Sequence, residues 1–355
     1  MKRHHFIGVD VHCKFSEVAA VTETGQLVHQ ERCATSIVAL VQELEKIPQP
    51  RFLVIEEGPL ADWLWRHLQA HVKEMVICNP RRNHLIAKEG DKDDPIDAPK
   101  LAQLYRGGYV KAVHHGDSLE RSVLKQHVSL YHDRVRHRVS EALRALSLLR
   151  RHGVFVRERA FVNVADRPAL LQRLPQNRVL RDAVRLLWKG YDAAVAQEEW
   201  MRRRLVQLAK QEEVVRRFTD LPGIAWVRAV TLFVWLDTPF RFRSKSALWK
   251  YLGIGLERRH SGAGAEQLRV PRIVNRQLKC TILGAAKSAV AQGDNPFADQ
   301  YRRWIEQGLS PRLARRNAAR SLAATLWGLW KSGSAYCPSW VGVAGAAGNA
   351  AEVST

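Results

Sequence analysis

The stretch HHFIGVDV, His4–Val11, decides the reading of the first domain. It is short and mostly apolar, and it carries an acid, Asp10, near its end. Such a run reads as a strand. Working outward, Phe15–Thr22 reads as a second strand and Gln26–Ala34 as a third, with a tight turn at Thr24-Gly25 between them. Ser36–Ile47 has helical spacing, and Ser36 is a fitting N-cap. Arg51–Glu56 is a fourth strand, Leu60–His71 a helix, and Lys73–Asn79 a fifth strand ended by Pro80. Three hairpin-like strands followed by β-α-β units predict a mixed sheet with helices on its faces. That order matches an RNase H-like fold, and other mixed sheets as well.

The charge narrows the partners. Across 355 residues there are 56 Lys and Arg against 35 Asp and Glu, a formal net charge of +21. Such a surface favours a polyanion, because each neutralised phosphate releases counterions. An anionic membrane surface is the competing partner. No apolar run approaches the ~20 residues of a membrane span, and MKRHHFIGVD lacks the apolar region of a secretion signal. The expectation is a cytosolic nucleic-acid protein. The five cysteines form no CxxC pair, which argues against a zinc ribbon or a disulfide framework. Cys13, Cys33 and Cys78 fall among strand-like residues and read as small buried apolar groups.

Beyond the first domain the pattern turns helical. Leu124, Val128, Tyr131, Val135, Val139, Ala142, Leu146 and Leu149 recur at steps of three and four and predict one long amphipathic helix. Leu180, Val184, Leu187, Tyr191, Val195, Met201, Leu205 and Leu208 predict another. Gly153 and Pro168 lie in the connection, so the pair reads as a helical hairpin of coiled-coil kind. Its partner is open: the same chain, a second subunit, or none. From about Phe218 the chain is helical and basic. LPGIAWVRAVTLF, Leu221–Phe233, resembles a helix–hairpin–helix turn, whose backbone N–H groups meet a phosphate. Ala225 stands where many such turns carry a second glycine, and an ordinary helix start after Pro222-Gly223 fits equally. The expected divisions are 1–115, 116–217 and 218–335, then a disordered tail, 336–355.

The chain gathers its acids in GDKDDPIDAPKLAQL, Gly90–Leu104. Asp94 and Asp97 stand three apart at a helix start, on one face. Asp10 and Glu56 stand at strand ends, where open sheets carry their function. Adjacent strand ends and a following helix would bring the four together. Uncompensated carboxylates repel one another, and two hard divalent cations ~4 Å apart resolve the conflict. Mg²⁺ suits an oxygen-only ligand set, and Mn²⁺ is the substitute. Such a pair activates an attacking oxygen and stabilises the leaving oxygen of a phosphodiester. Asp94, before Pro95, fits equally as a plain N-cap. Glu57 competes with Glu56 as the ligand.

At these residues the sequence resembles the insertion-sequence-110 family of transposases, which includes the Piv-type DNA invertases. The resemblance rests on FIGVDVHCKFSEVAAV, LVIEEGPLADWL and ICNPRRNHLIAKEGDKDDPIDAPKLAQL. Far downstream it continues in LPGIAWVRAVTLF, FRFRSKSALWKYLGIGLERRHSGAG and NRQLKC, so that it covers roughly residues 6–334. It implies a RuvC-like first domain with a D-E-D-D metal site on Asp10, Glu56, Asp94 and Asp97. It implies a C-terminal transposase domain with a nucleophilic serine, here Ser261 of Ser261-Gly262. It further implies an element-encoded guide RNA pairing with target and donor DNA. The chain departs from the family pattern at Glu57 after the fourth strand, at Asp93 where Thr is usual, and at Pro95.

The residues alone would leave Ser261 as a turn residue, since a hydroxyl needs a base or metal to become a nucleophile. Arg258, Arg259, Arg269 and Arg272 around it suit phosphate contacts, and an ordinary basic surface accounts for them equally. The expected protein is a DNA recombinase working as a dimer or tetramer. Its rivals are a hydrolytic junction nuclease using water, a non-catalytic nucleic-acid binder, and a sugar-kinase/actin-like fold. The last wants Gly and Ser or Thr soon after the first Asp, and DVHCKF supplies neither.

Overall fold

The computed structural model describes residues 4–80, 94–156, 163–259, 267–269, 274–339 and 341; of 94–96, 257–259 and 267–269 it describes the backbone alone. The chain forms two compact units, Met1–Leu119 and Glu120–Thr355.

The first unit is a mixed sheet with helices on both faces. Its strands are β1 His5–Val11, β2 Phe15–Thr22, β3 Leu27–Ala34, β4 Arg51–Glu56, β5 Glu74–Cys78 and β6 Ala112–Val113. Their spatial order is β3-β2-β1-β4-β5-β6. β1 is antiparallel to β2 and parallel to β4, and β4 is parallel to β5. Helices α1 Ile37–Glu45 and α2 Ala61–Leu68 cover one face. There Ile7, Val9, Leu53, Ile55, Met75 and Ile77 pack with Leu40, Leu44, Leu64 and Leu68. Ser36 caps α1, its Oγ accepting from Ala39 N at 3.2 Å. Helix α3, Asp94–Arg106, covers the other face, where Val54 and Cys78 meet Leu101. The period of two assigns these faces: odd positions of β1 go one way and even positions the other.

Gly8 allows α3 to lie close. A Cβ built on it would stand 2.3 Å from Ala98 O and 2.7 Å from Ala102 N. With Ala98 and Ala102 opposite, helix backbone meets strand backbone without an intervening side chain.

The second unit is helical. α4 Leu119–Arg151 and α6 Arg178–Ala209 pair antiparallel, and the short α5 Arg167–Gln172 lies between them in sequence. Arg134 Nη1 donates to Gln197 Oε1 at 3.1 Å, and Arg138 Nε to Glu198 Oε2 at 2.5 Å. Further along, Gly190 faces Glu141, whose Oε2 would lie 3.1 Å from an added Cβ. The apolar stripe of α4 serves two cores. Leu124, Val128 and Tyr131 join the C-terminal core, and Ala142, Leu146 and Leu149 pack on Val184, Trp188 and Tyr191. Val139, between them, is exposed.

The C-terminal core gathers α7 Glu213–Thr219, α8 Trp226–Leu236, α9 Lys245–Tyr251, α10 Arg276–Gln292, α11 Pro296–Glu306 and α12 Pro311–Ser332. Alanines 285, 286 and 289 of α10 and 318 and 319 of α12 are fully buried, which suits closely packed helices. A two-stranded ribbon, β7 Glu257–Arg259 and β8 Gln267–Arg269, is antiparallel. Val341 is 2% exposed and its carbonyl accepts from Gln300 Nε2 at 2.7 Å. The chain is therefore packed at that point; the expected disordered tail otherwise falls largely outside the described residues.

Two sequence expectations change. Cys13 is exposed and Cys33 half-buried; Cys78 alone of the three is buried. Cys13 sits in the β1–β2 turn and Cys33 on β3, which has no further strand beside it among the described residues. The turn at Gly223 does join two helices, α7 and α8. Its glycine is also required by packing: φ is +77°, and an added Cβ would stand 2.1 Å from Ala285 O of α10.

Candidate active site

The ladder between β1 and β4 sets Val9 beside Ile55. One step further along these parallel strands stand Asp10 and Glu56. Both fall on even positions, the face that carries Gly8, Val54 and α3. Adjacent strands lie about 4.8 Å apart, so the backbone alone delivers two carboxylates to one spot on the sheet's C-terminal edge. Both residues are partly exposed, as ligands reaching solvent must be.

Helix α3 brings its N-terminus to the same edge. Its C-terminal end is tied to the opposite edge: Gln103 Nε2 donates to Gly25 O at 2.7 Å and Arg106 Nη1 to Glu23 O at 3.2 Å. Gly25 follows Thr22, which pairs with His5 at the beginning of β1. The helix thus runs antiparallel to β1, and Asp94 and Asp97 begin it at the Asp10 end. Asp97 is partly exposed. Among the described residues no three His, Cys, Asp or Glu side chains cluster tightly enough to hold a metal ion. The Asp94 side chain lies outside the described residues.

The donor set nonetheless fits a hard divalent cation: Asp10, Glu56 and Asp97 offer only carboxylate oxygens, the ligands Mg²⁺ and its kin prefer. An N-terminal helix dipole adds attraction for the acids themselves. Glu57, the competitor, is exposed, and its backbone N–H donates to Cys78 O at 2.8 Å. That bond is the last rung of the β4–β5 ladder, and Glu57 lies in the bend just past the strand.

One residue at this edge was missed in the sequence. His12 Nε2 lies 3.0 Å from Asp10 Oδ2, and the imidazole packs on the Phe15 ring with centroids 4.7 Å apart. Thr35 Oγ1 donates to His12 O at 2.8 Å. A ring so held fixes one oxygen of Asp10. The signal was available: in Asp10-Val11-His12 a spacing of two on an extended segment puts both side chains on one side.

Of the downstream candidates, Arg258 and Arg259 belong to β7 and Arg269 to β8, with Glu257 opposite Arg269 and Arg259 opposite Gln267. Ser261 and Arg272 lie outside the described residues.

Comparison with known proteins now bears on this arrangement. Residues 7–153 match a family model described as a transposase, the DEDD transposase of IS110 type. Residues 215–302 match a model described as transposase of the IS116/IS110/IS902 family. A curated relative from Sinorhizobium fredii (strain NBRC 101917 / NGR234), named "Putative transposase y4pF/y4sB", is 23% identical over 339 residues, covering 93% of this chain and 85% of the relative. DEDD domains of this kind work with divalent metal ions, in keeping with the oxygen donors at the edge of β1 and β4. Two models of one family, matched in order over well over half of the sequence, establish that the chain belongs to the insertion-sequence-110 family of transposases, enzymes that cut and rejoin DNA.

Proposed function

We propose that this transposase cuts DNA by attack of the Ser261 hydroxyl on a phosphodiester, with Asp10, Glu56, Asp94 and Asp97 holding Mg²⁺. The observation that supports this reading most is the register of β1 on β4. It puts Asp10 and Glu56 side by side on one face, at the edge where α3 begins with Asp94 and Asp97. Bound there, the metal would supply Lewis-acid stabilisation of the charge that builds on the phosphate oxygens.

The chemistry of the chain's own groups balances without an external energy source. The serine Oγ–H loses its proton as an O–P bond forms, and a P–O bond to the sugar breaks. The freed sugar oxygen takes up a proton. The phosphodiester is exchanged for a phosphoserine ester, so that a second sugar hydroxyl can reverse the step and reseal a strand. Water in place of the serine would hydrolyse the bond and forfeit rejoining. Arg258, Arg259, Arg269 and Arg272, close to Ser261 in sequence, suit the phosphates of the bound strand.

In this reading the enzyme acts as a dimer or tetramer and takes its target from an element-encoded RNA that pairs with DNA. The excess of basic residues supports an additional polyanion. The test of the central step is a labelled DNA substrate with Mg²⁺. Wild-type protein should give a protein–DNA adduct that survives denaturation, and Ser261→Ala none. Strand rejoining by Ser261→Ala would sink the serine mechanism; cleavage without rejoining would point to a hydrolytic nuclease.

A further inference from the structure

A second concave site lies within the helical unit, built from α4, α6, α8 and α10. Its volume is about 790 Å³, within the range of pockets that enclose an organic ligand. Tyr131 and Trp226 supply aromatic wall, and Arg228 and Arg276 supply positive charge. Among the described residues no carboxylate lines it. Two further arginines at its border, Arg136 and Arg202, are engaged with Asp133 and Glu199.

Arg228 is the informative cation. Its Nη1 donates to Gly223 O at 2.7 Å and to Ser288 Oγ at 2.9 Å, both neutral acceptors. Gly284 leaves room for the guanidinium: an added Cβ there would stand 3.4 Å from Nη2. Burial holds the Arg228 pKa below its ordinary value, and no carboxylate among the described residues offsets it. A half-buried cation with neutral partners is a standing attraction for an anion. Arg276, exposed at the first turn of α10, adds a second charge beside it. The Nε2 amide nitrogen of Gln277 is buried there without a hydrogen-bond partner among the described residues.

The neutral side of the site is equally defined. Thr231 Oγ1 donates its single proton to Val227 O at 2.7 Å, so it must accept from His132 Nε2 at 3.1 Å. That fixes the imidazole tautomer and leaves Nδ1 as an acceptor. Burial, with help from Arg136, lowers the His132 pKa to about 4, so the ring is neutral at physiological pH. Aromatic surface, a neutral acceptor, an unsatisfied amide donor and cations are what a heterocyclic base joined to a phosphate requires.

We propose that this cavity takes one unstacked nucleotide of a single strand, its base against Trp226 and its phosphate on Arg228 and Arg276. The proposal rests on the chain handling nucleic acid, as read above, and adds a site apart from the carboxylate edge. A duplex keeps its bases stacked and paired inside, and so cannot present one to a concave site of this size. An unpaired stretch, in RNA or in opened DNA, can.

Cys280 is exposed in the wall of the site and reports on its occupancy. The experiment is alkylation of the full chain with N-ethylmaleimide, with modification of Cys280 read by peptide mass. The probes are a single-stranded oligonucleotide, a blunt duplex of equal length, and the same single strand with abasic sugars, each at concentrations shown to bind. The single strand should slow Cys280 modification roughly tenfold, and the duplex and abasic strand should leave it nearly unchanged. Arg276→Ala, an exposed substitution with little risk to folding, should weaken single-strand binding several-fold and abolish the protection. Arg228→Met should do the same, checked by unfolding for an intact core. Single-strand binding with unchanged Cys280 reactivity, or equal protection by the duplex, would overturn the proposal and leave the transposase reading standing. Failure of every nucleic acid to bind would overturn both.

Discussion

Gly8 of β1 and Ala98 of α3 touch backbone to backbone: a methyl on Gly8 would come within 2.3 Å of Ala98 O. Asp97 neighbours Ala98 in sequence, and Asp10 stands two places beyond Gly8 on the same face. The contact that lets the helix approach the sheet therefore also sets the depth of the acidic helix start. Gly8→Ala should displace α3 and cost about 1–3 kcal/mol, the usual penalty for overpacking. Denaturant unfolding measures the cost. Isothermal titration with Mn²⁺ should show weakened metal binding in the folded variant, which a surface glycine such as Gly58 would not.

The choice between Glu56 and Glu57 is open to direct test. Glu56 ends β4 on the face that carries α3, whereas Glu57 is exposed in the bend just past the strand. Glu56→Gln should lower strand cleavage by on the order of 10²–10³-fold, as should Asp10→Asn. Glu57→Gln should stay within about threefold of wild type. A reversed order would transfer the ligand role to Glu57.

His12 steadies Asp10 through Nε2 at 3.0 Å. Outer partners of metal ligands are typically worth about 10–100-fold in metal affinity. His12→Ala should weaken Mn²⁺ binding within that range, and His12→Gln, which keeps a donor, should recover part of it. Titration calorimetry reads the affinity, and an unchanged value in both variants would leave His12 with only its packing on Phe15.

His132 makes stability depend on pH. Its folded pKa, about 4, lies below the ordinary 6.5, so the folded state holds fewer protons than the unfolded chain between those values. The stabilisation is fully present above about pH 6.5 and is lost as pH falls toward 4. One histidine can contribute a slope of at most about 1.4 kcal/mol per pH unit there. Unfolding at a series of pH values should show that slope, reduced in His132→Gln.

Gly190 lies in the middle of α6, where glycine costs about 1 kcal/mol relative to alanine. Across from it, Glu141 is 7% exposed and accepts from Arg144 Nη1 at 2.8 Å. Gly190→Ala would gain propensity but press a methyl to 3.1 Å from a carboxylate oxygen that can shift, so its net effect should stay within about 1 kcal/mol. Gly190→Val, which adds bulk against Glu141 and has lower helix propensity than alanine, should destabilise by about 1–3 kcal/mol. Thermal unfolding distinguishes the two.

Much of this architecture is written locally. The strand at Arg51–Glu56 and the two long helices follow from periodicity, since each buries a face and the pattern of burial is the pattern of residues. The Asp10–Glu56 pairing was accessible because strand-end acids on neighbouring parallel strands can only meet at one edge. What escaped depended on partners distant in sequence. Nothing near Gly223 announces that Ala285 will press on it. The α4 stripe looked continuous, yet Val139 falls in the gap between two cores. Cys13 was misread because an apolar neighbourhood in sequence became a solvent-facing turn, and β6, two residues long, carries too little pattern to be seen. Trp226 and Arg228 were read only within a helix–hairpin–helix turn or an ordinary helix start; that they share a cavity with α4 and α10 is a matter of tertiary packing alone.

The ladder joining β1 to β4 also bears on how such enzymes can vary. Between Asp10 and Glu56 the chain makes two more strands and a helix, yet their separation is fixed by hydrogen bonds between neighbouring strands and not by the excursion. Relatives should therefore tolerate lengthened or shortened connections between Val11 and Arg51 with chemistry intact, while a single-residue slip in either strand would turn its acid to the wrong side of the sheet.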